Sequence, residues 1–316
     1  MLLIGLAGCA TVPVGVKLSG QSCPLDRQAA FPIERQANFM LASVMIDGKP
    51  ARLLVDTAAE RSMVTDTAAR RLGLPRDPHR LTRVQGFGGS TTNWDAKANT
   101  LVLGDAEVRN LDLTVGPSGQ DKPGAPAEDG LLGLDVLAAF DVEVDPIKRQ
   151  VILYRPRPCS NVLPPWRGPF MTVSSIGPLD GEIRVPITLD GVHDTAILDT
   201  GAQHSSVSER LAFRTGVTRQ QLDHDLSGHS RGVSNNAVVT HLHRFRSLRV
   251  GTTLIASPLL VVLPLPKGAV GALGANYLCH QRLYLSFVSR RFFLAESTPA
   301  AGSAGWLATD TSSRPC

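Results

Sequence analysis

The chain has 316 residues, 43% of them hydrophobic and 19% charged, with 29 glycines and 22 prolines. That length holds two domains of ordinary size or one large one; the composition excludes collagen, coiled coil and wholesale disorder, and its glycine and proline content points to a turn-rich, strand-rich fold. The net charge of +4 is modest and scattered, and gives only weak support for a nucleic-acid partner, so none is expected.

The first nine residues, MLLIGLAGC, are small and apolar and end on Cys9. They fall short of the roughly 18 uncharged residues a membrane helix needs, and no later stretch reaches that length. Leu6-Ala7-Gly8-Cys9 resembles the lipobox of bacterial lipoproteins. The resemblance implies that residues 1–8 are a signal and that Cys9 is acylated, leaving the protein on the periplasmic side of a bacterial cell envelope with membrane contact only through its lipid. The apolar region is short and no Lys or Arg precedes it, departures that a start upstream of Met1 would explain; a plain apolar N-terminal segment is the other reading. With Cys9 lipidated, Cys23, Cys159, Cys279 and Cys316 remain, so one or two disulfides are expected with their pairing open.

Further along, the chain repeats itself. Residues 44–64, VMIDGKPARLLVDTAAERSMV, lie without a gap on residues 187–207, ITLDGVHDTAILDTGAQHSSV, at an offset of 143. Residues 131–154 lie on 272–295 at an offset of 141. In each copy alternating apolar residues reach Asp-Gly, a two-residue hairpin signal, and the return strand is a continuous apolar run, as in a fully buried strand. That strand ends on an aspartate, Asp56 or Asp199. A short helix follows (TAARRLGL, SERLAFRTGV), then a glycine-rich hairpin, more strands, an apolar-apolar-Gly turn opening a short helix, and a closing strand pair. The expected organisation is a first lobe over 24–158, a linker over 159–170 in a stretch with five prolines, a second lobe over 171–296, and a loose tail over 297–316.

Ending a buried strand on a carboxylate is costly, because an isolated buried charge is tolerated only when paired or neutralised. Two aspartates related by an approximate twofold axis solve this by sharing one proton, since two carboxylates about 3 Å apart cannot both ionise. The ionised member then takes a proton from a trapped water while the protonated member polarises a carbonyl. Such hydrolysis needs no metal or other cofactor. Thr57 and Thr200 would offer hydroxyls to hold the two loops in register.

Asp56-Thr57-Ala58-Ala59 and Asp199-Thr200-Gly201-Ala202, with the later Leu132-Gly133 and Leu273-Gly274 turns, resemble two fused copies of a retropepsin-type aspartic peptidase. The resemblance spans most of 39–155 and 182–295. It implies an all-β molecule of two tandem lobes with pseudo-twofold symmetry, a single chain sufficing for the site, and an aspartic endopeptidase activity on peptide or protein substrates. It also implies flaps at Gly86-Phe87-Gly88-Gly89 and around Gly228 to Gly232, and substrate-backbone contacts from Glu60, Arg61, Gln203 and His204. Three features depart from the family. Ala58 stands where Gly is usual and could crowd the loop; Leu134 and Ala275 replace an interface Arg; and the second flap is more polar than the first. A peptide-binding envelope lipoprotein that keeps the cleft without turnover is the alternative, and a structural envelope domain a third.

Other motifs carry less. Gly228-His229-Ser230-Arg231-Gly232 matches a serine-hydrolase elbow, but no Asp or Glu lies between Ser230 and the last histidine, His280, so the order fails. His241 and His243 would share a strand face, read as solvated because no further metal ligand is evident. Arg244, Arg246 and Arg249 read as solvation or edge protection. GFGGS lacks the helix and lysine of a phosphate loop.

Overall fold

The computed structural model describes residues 23–36, 38–86, 88–116, 128–157, 162–174, 182–231 and 237–295. The expectations for residues 1–8, Cys9, Cys159, the 297–316 tail, Cys316 and Phe87 fall outside the described residues. Cys23 and Cys279 are both disulfide-bonded.

In the first copy, β1 (Arg27–Gln36) leads into the hairpin β2 (Phe39–Ile46) and β3 (Lys49–Val55). The turn is Asp47-Gly48, with φ of +47° and +74°, left-handed values that a hairpin of this length demands. After the Asp56 loop come β4 (Met63–Thr65) and α1 (Asp66–Leu72). Thr65 caps α1 by accepting from the Ala68 amide, and Gly73 ends it at φ +71°. The hairpin β5 (Arg76–Gly86) and β6 (Gly89–Leu103), then β7 (Ala106–Gly116), β8 (Gly130–Leu132), α2 (Leu134–Leu137), β9 (Asp141–Asp145) and β10 (Gln150–Tyr154) complete it.

The second copy opens with β11 (Phe170–Ser174) and repeats the plan. The hairpin β12 (Arg184–Leu189) and β13 (Val192–Leu198) precedes β14 (Ser206–Ser208), α3 (Glu209–Arg214) and α4 (Arg219–His224). The hairpin β15 (Leu226–Arg231) and β16 (Ala237–Arg244) comes next, followed by β17 (Ser247–Val250), β18 (Thr253–Ala256) and β19 (Leu259–Leu263). Last are β20 (Gly271–Leu273), α5 (Ala275–Leu278), β21 (Leu283–Ser286) and β22 (Arg291–Ala295). The molecule is two tandem all-β lobes, with strand orders β3-β8-β4-β7-β6-β5 and β13-β20-β14-β19-β16-β15 that match place for place.

The strands that end on aspartate are not buried on both faces. Ala51, Leu53 and Val55 point into the core while Leu54 is half-buried, and Ala196 and Leu198 alternate with Ile197 in the same way. Each large core side chain contributes about 1.5–3 kcal/mol by leaving water. Because β8 slots between β3 and β4, pairing parallel with β3, the chain after Val55 must swing out as a loop. β20 does the same beside β13 and β14.

The closing strand pairs join the copies. β21 pairs antiparallel with β9, making a continuous run β11-β22-β21-β9-β10-β1 that draws strands from both halves. β9, DVEVD, is wholly buried. Glu143 collects a hydrogen bond from Tyr154 Oη at 2.9 Å, one from Trp166 Nε1 at 2.8 Å, and an ion pair with Arg282, which also reaches Asp145 at 3.0 Å. Within the described part of the proline-rich segment, Val162 is buried and Trp166 lies under the Arg282 guanidinium.

Candidate active site

The two aspartates leave β3 and β13 at the point where the inserted strand begins to pair. The Asp56 amide donates to Leu132 O at 3.0 Å, and the Asp199 amide to Leu273 O at 3.0 Å. Asp56 Oδ1 accepts from the amides of Ala58 (2.9 Å) and Ala59 (3.0 Å), and Asp199 Oδ1 from those of Gly201 (2.9 Å) and Ala202 (2.9 Å). Each carboxyl group is thereby locked to its own loop by its neighbours' backbone.

The loops then lock to each other. Thr57 Oγ1 donates to Leu198 O at 2.6 Å and accepts from the Thr200 amide at 3.2 Å. Thr200 Oγ1 donates to Val55 O at 2.6 Å and accepts from the Thr57 amide at 3.1 Å. Both threonines are completely buried. Carriers of the two aspartates, 143 residues apart, are thus fastened directly together.

The turns at Leu132-Gly133 and Leu273-Gly274 back the loops from behind. A side chain on Gly133 would stand 2.7 Å from the carbonyl carbon of Arg61, so only glycine allows this approach; Gly274 meets His204 in the same way at 2.6 Å. Ser62 donates its amide and hydroxyl to Asp135 Oδ1, and Ser205 makes the matching pair to Asn276 Oδ1. Burial holds the Asp135 carboxyl above its ordinary value.

The electrostatics follow from crowding. Asp56 and Asp199 keep some surface open to solvent but are otherwise enclosed by protein. Burial raises Asp56, against the pull of the Ala58 and Ala59 amides. Burial pushes Asp199 up to about 7, aided by the negative charge of Asp56 and, more weakly, of Glu182, and opposed by the Ala202 and Gly201 amides. Carboxyl groups whose charges bear on each other in this way titrate as a pair. Such a pair can hold one proton over the mildly acidic range and offer a base and an acid side by side. Among the described residues no cluster of His, Cys, Asp or Glu is arranged to hold a metal ion.

The family models agree with this geometry: the aspartyl protease family matches residues 42–136 and again 185–277. The chain belongs to the aspartyl protease family. This aspartyl protease chain is also similar in fold to the crystal structure of aspartic proteinase from Irpex lacteus, with a TM-score of 0.56 at 14% identity, over 87% of this chain and 99% of that one. No curated protein sequence matches it.

The remaining sequence-derived positions of the aspartyl protease chain are dispersed. Glu60 and His204 are exposed and Gln203 half-buried beside the loops. Gly86 pairs with Gly89 across the end of the β5–β6 hairpin, where Gly88 and Gly89 take φ of +86° and +128°. Gly228 and Ser230 lie within β15, facing Thr240 and Val238; residues 232–236 lie outside the described set. His241 and His243 are not a solvated face. His241 is 9% exposed, and His243 bonds Asp225 Oδ2 at 2.6 Å and stands edge-on to Phe245.

Arg61 has a partner that the sequence did not announce. Its guanidinium reaches Asp95 of β6 at 3.4 Å and Asp112 O at 3.0 Å. Asp95 is completely buried and also takes Arg80 Nε at 3.1 Å and Thr82 Oγ1 at 2.8 Å from β5. The first hairpin is therefore bolted to the Asp56 loop. In the second copy the register puts Leu242 where β6 has Asp95, so that position carries no acid. Asp95→Asn should speed amide hydrogen exchange in residues 81–94, at a cost of about 2 kcal/mol. Unchanged protection there would show that the hairpin is held by its strand pairing alone.

Proposed function

We propose that this chain is an aspartic endopeptidase that hydrolyses peptide bonds with a water held between Asp56 and Asp199. The observation that carries the reading is the convergence of two mutually repelling, enclosed carboxyl groups on loops cross-bonded by Thr57 and Thr200. The ionised carboxylate takes a proton from water as its oxygen attacks the peptide carbonyl, and the neutral one donates to the carbonyl oxygen. Collapse of the resulting gem-diol passes a proton to the departing amine. The β5–β6 and β15–β16 hairpins serve as flaps over an extended peptide, and Gly86 to Gly89 allow the first to approach its backbone closely.

The test is hydrolysis of a denatured protein and a mixed peptide pool between pH 4 and 7, with and without a peptide carrying a hydroxyl in place of the scissile carbonyl. Cleavage is expected, and the hydroxyl peptide should bind far more tightly than the matching substrate. Ala58 favours a second reading, a peptide binder without turnover, which predicts equal affinity for both ligands. We further propose a lipid-anchored place in the bacterial envelope, supported by the Leu6-Ala7-Gly8-Cys9 sequence and by the disulfide-bonded Cys23 and Cys279, since disulfides persist in oxidising compartments.

A further inference from the structure

Asp141, Glu143 and Asp145 alternate with Val142 and Val144 along β9, so the three acids share one face of the strand where the two copies meet. Neighbours on that face stand about 7 Å apart, and all three are buried. Arg282, just before β21, pairs with Glu143 and also with Asp145, at 3.0 Å. One guanidinium offsets one negative charge. Glu143 is further held by the neutral donors Tyr154 Oη and Trp166 Nε1, and Asp145 Oδ1 accepts from the Lys148 amide at 2.9 Å.

Asp141 is placed differently. Among the described residues no ion pair reaches it; Tyr284 Oη donates to its Oδ2 at 3.3 Å, and its Oδ1 has no hydrogen-bond partner. Its cross-strand neighbours are Tyr154 on β10, already committed to Glu143, and Ser286 on β21. The next cations out are Arg27 of β1, exposed and opposite Tyr154, and Arg291 of β22, opposite Ser286 and over the Phe293 ring. Burial holds the Asp141 carboxyl above its ordinary value, against the pull of the Ser286 and Tyr284 hydroxyls. Tyr154, Tyr284 and Phe293, with Val162 and Trp166 of the proline-rich segment, form a small apolar cluster at the same junction.

From this arrangement we infer that the lobe junction is a pH-sensitive latch, closed while Asp141 is neutral and loosened when its ionisation adds an unmatched negative charge to the β9–β21 seam. The inference stands apart from the peptidase reading. The folded chain keeps a proton on Asp141 that the unfolded chain releases near 3.8. The contribution is therefore complete below about 3.8 and is lost as pH rises through the higher folded value. Each copy supplies one strand of the seam and one of the two aspartate loops, so loosening it slackens one of the two places where the lobes are joined.

The experiment is hydrogen exchange on the full chain, parent and Asp141→Asn, between pH 4 and 7.5, read at the amides of 142–145 and 283–286 and at the Trp166 indole N–H. Protection in the variant should match the parent near pH 4 and exceed it about tenfold or more at pH 7, since one proton shifts an opening equilibrium by up to about tenfold per pH unit. The amides of β3 and β13 should exchange alike in the two proteins at every pH. A ratio that does not rise with pH overturns the latch. So does a rise of equal size in β3 and β13, which would assign Asp141 to global stability and not to the junction. Should the variant not fold, the parent decides by itself: in a carbon and nitrogen NMR titration the Asp141 carboxyl and the Trp166 indole should move with one common midpoint, and separate midpoints overturn the proposal.

Discussion

Asp199→Asn is expected to abolish peptide hydrolysis, by about a thousandfold or more, and to leave the protein more stable than its parent at pH 7. The carboxyl group sits near 7 in the folded chain against 3.8 when unconstrained. Between those values the folded state keeps a proton that the unfolded state has released, so stability declines as pH rises from about 3.8 through 7. An asparagine has no charge to penalise and removes this decline, a gain on the order of a few kcal/mol at pH 7 that vanishes near pH 4. Thermal unfolding of parent and variant at the two pH values reads the difference directly. Asp56→Asn should be equally inactive. A variant that keeps parental turnover would exclude the two-carboxyl mechanism, and one with a lower melting temperature at pH 7 would show that the pair is not strained.

Thr57→Val comes second in size. Valine keeps the β-branched shape but removes a hydroxyl that both donates to Leu198 O and accepts from the Thr200 amide. Both partners lie where water cannot replace it, since Thr57 and Thr200 have no exposed surface. Leaving them unpaired costs about 2–5 kcal/mol in total. Because these bonds are what couples the two aspartate loops, the carboxyl groups should drift apart and turnover fall about tenfold to a hundredfold, with KM changing less. Thr57→Ser, which restores the hydroxyl, should recover most of both losses. Full turnover in the valine variant would mean that the lobes are registered elsewhere, at the β9–β21 seam.

That seam shows where reading the chain stops. The offset of 143 was legible because two copies of one strand, hairpin and Asp-Thr loop must carry the same periodic pattern and the same special turn residues. The alternating acids of β9 read like any solvated strand, yet Asp141, Glu143 and Asp145 are all buried. The offset of 141 sets Asp141 on Arg282, Glu143 on Tyr284 and Asp145 on Ser286. Antiparallel pairing across the pseudo-twofold then brings Glu143 opposite Tyr284 and Asp141 opposite Ser286. Each acid meets a donor or cation from the other copy, and the complementarity becomes visible only after the copies are paired. Arg61 tells the same story, since nothing near it in sequence distinguishes a substrate contact from a bond to a buried aspartate in β6.

The sequence by itself determined the duplication, the all-β class, the Asp-Gly turns and the two aspartates at strand ends. These follow from local preferences and from side-chain period, which the backbone enforces within a few residues. The tertiary structure alone decided which carbonyl and which amide each threonine hydroxyl reaches, and that Arg61 bolts the first hairpin. It also decided that an acidic strand is buried at the lobe junction. Each depends on which distant segment arrives on a given face, and in an antiparallel or pseudo-symmetric contact that is set by register across the whole sheet, not by any neighbour along the chain.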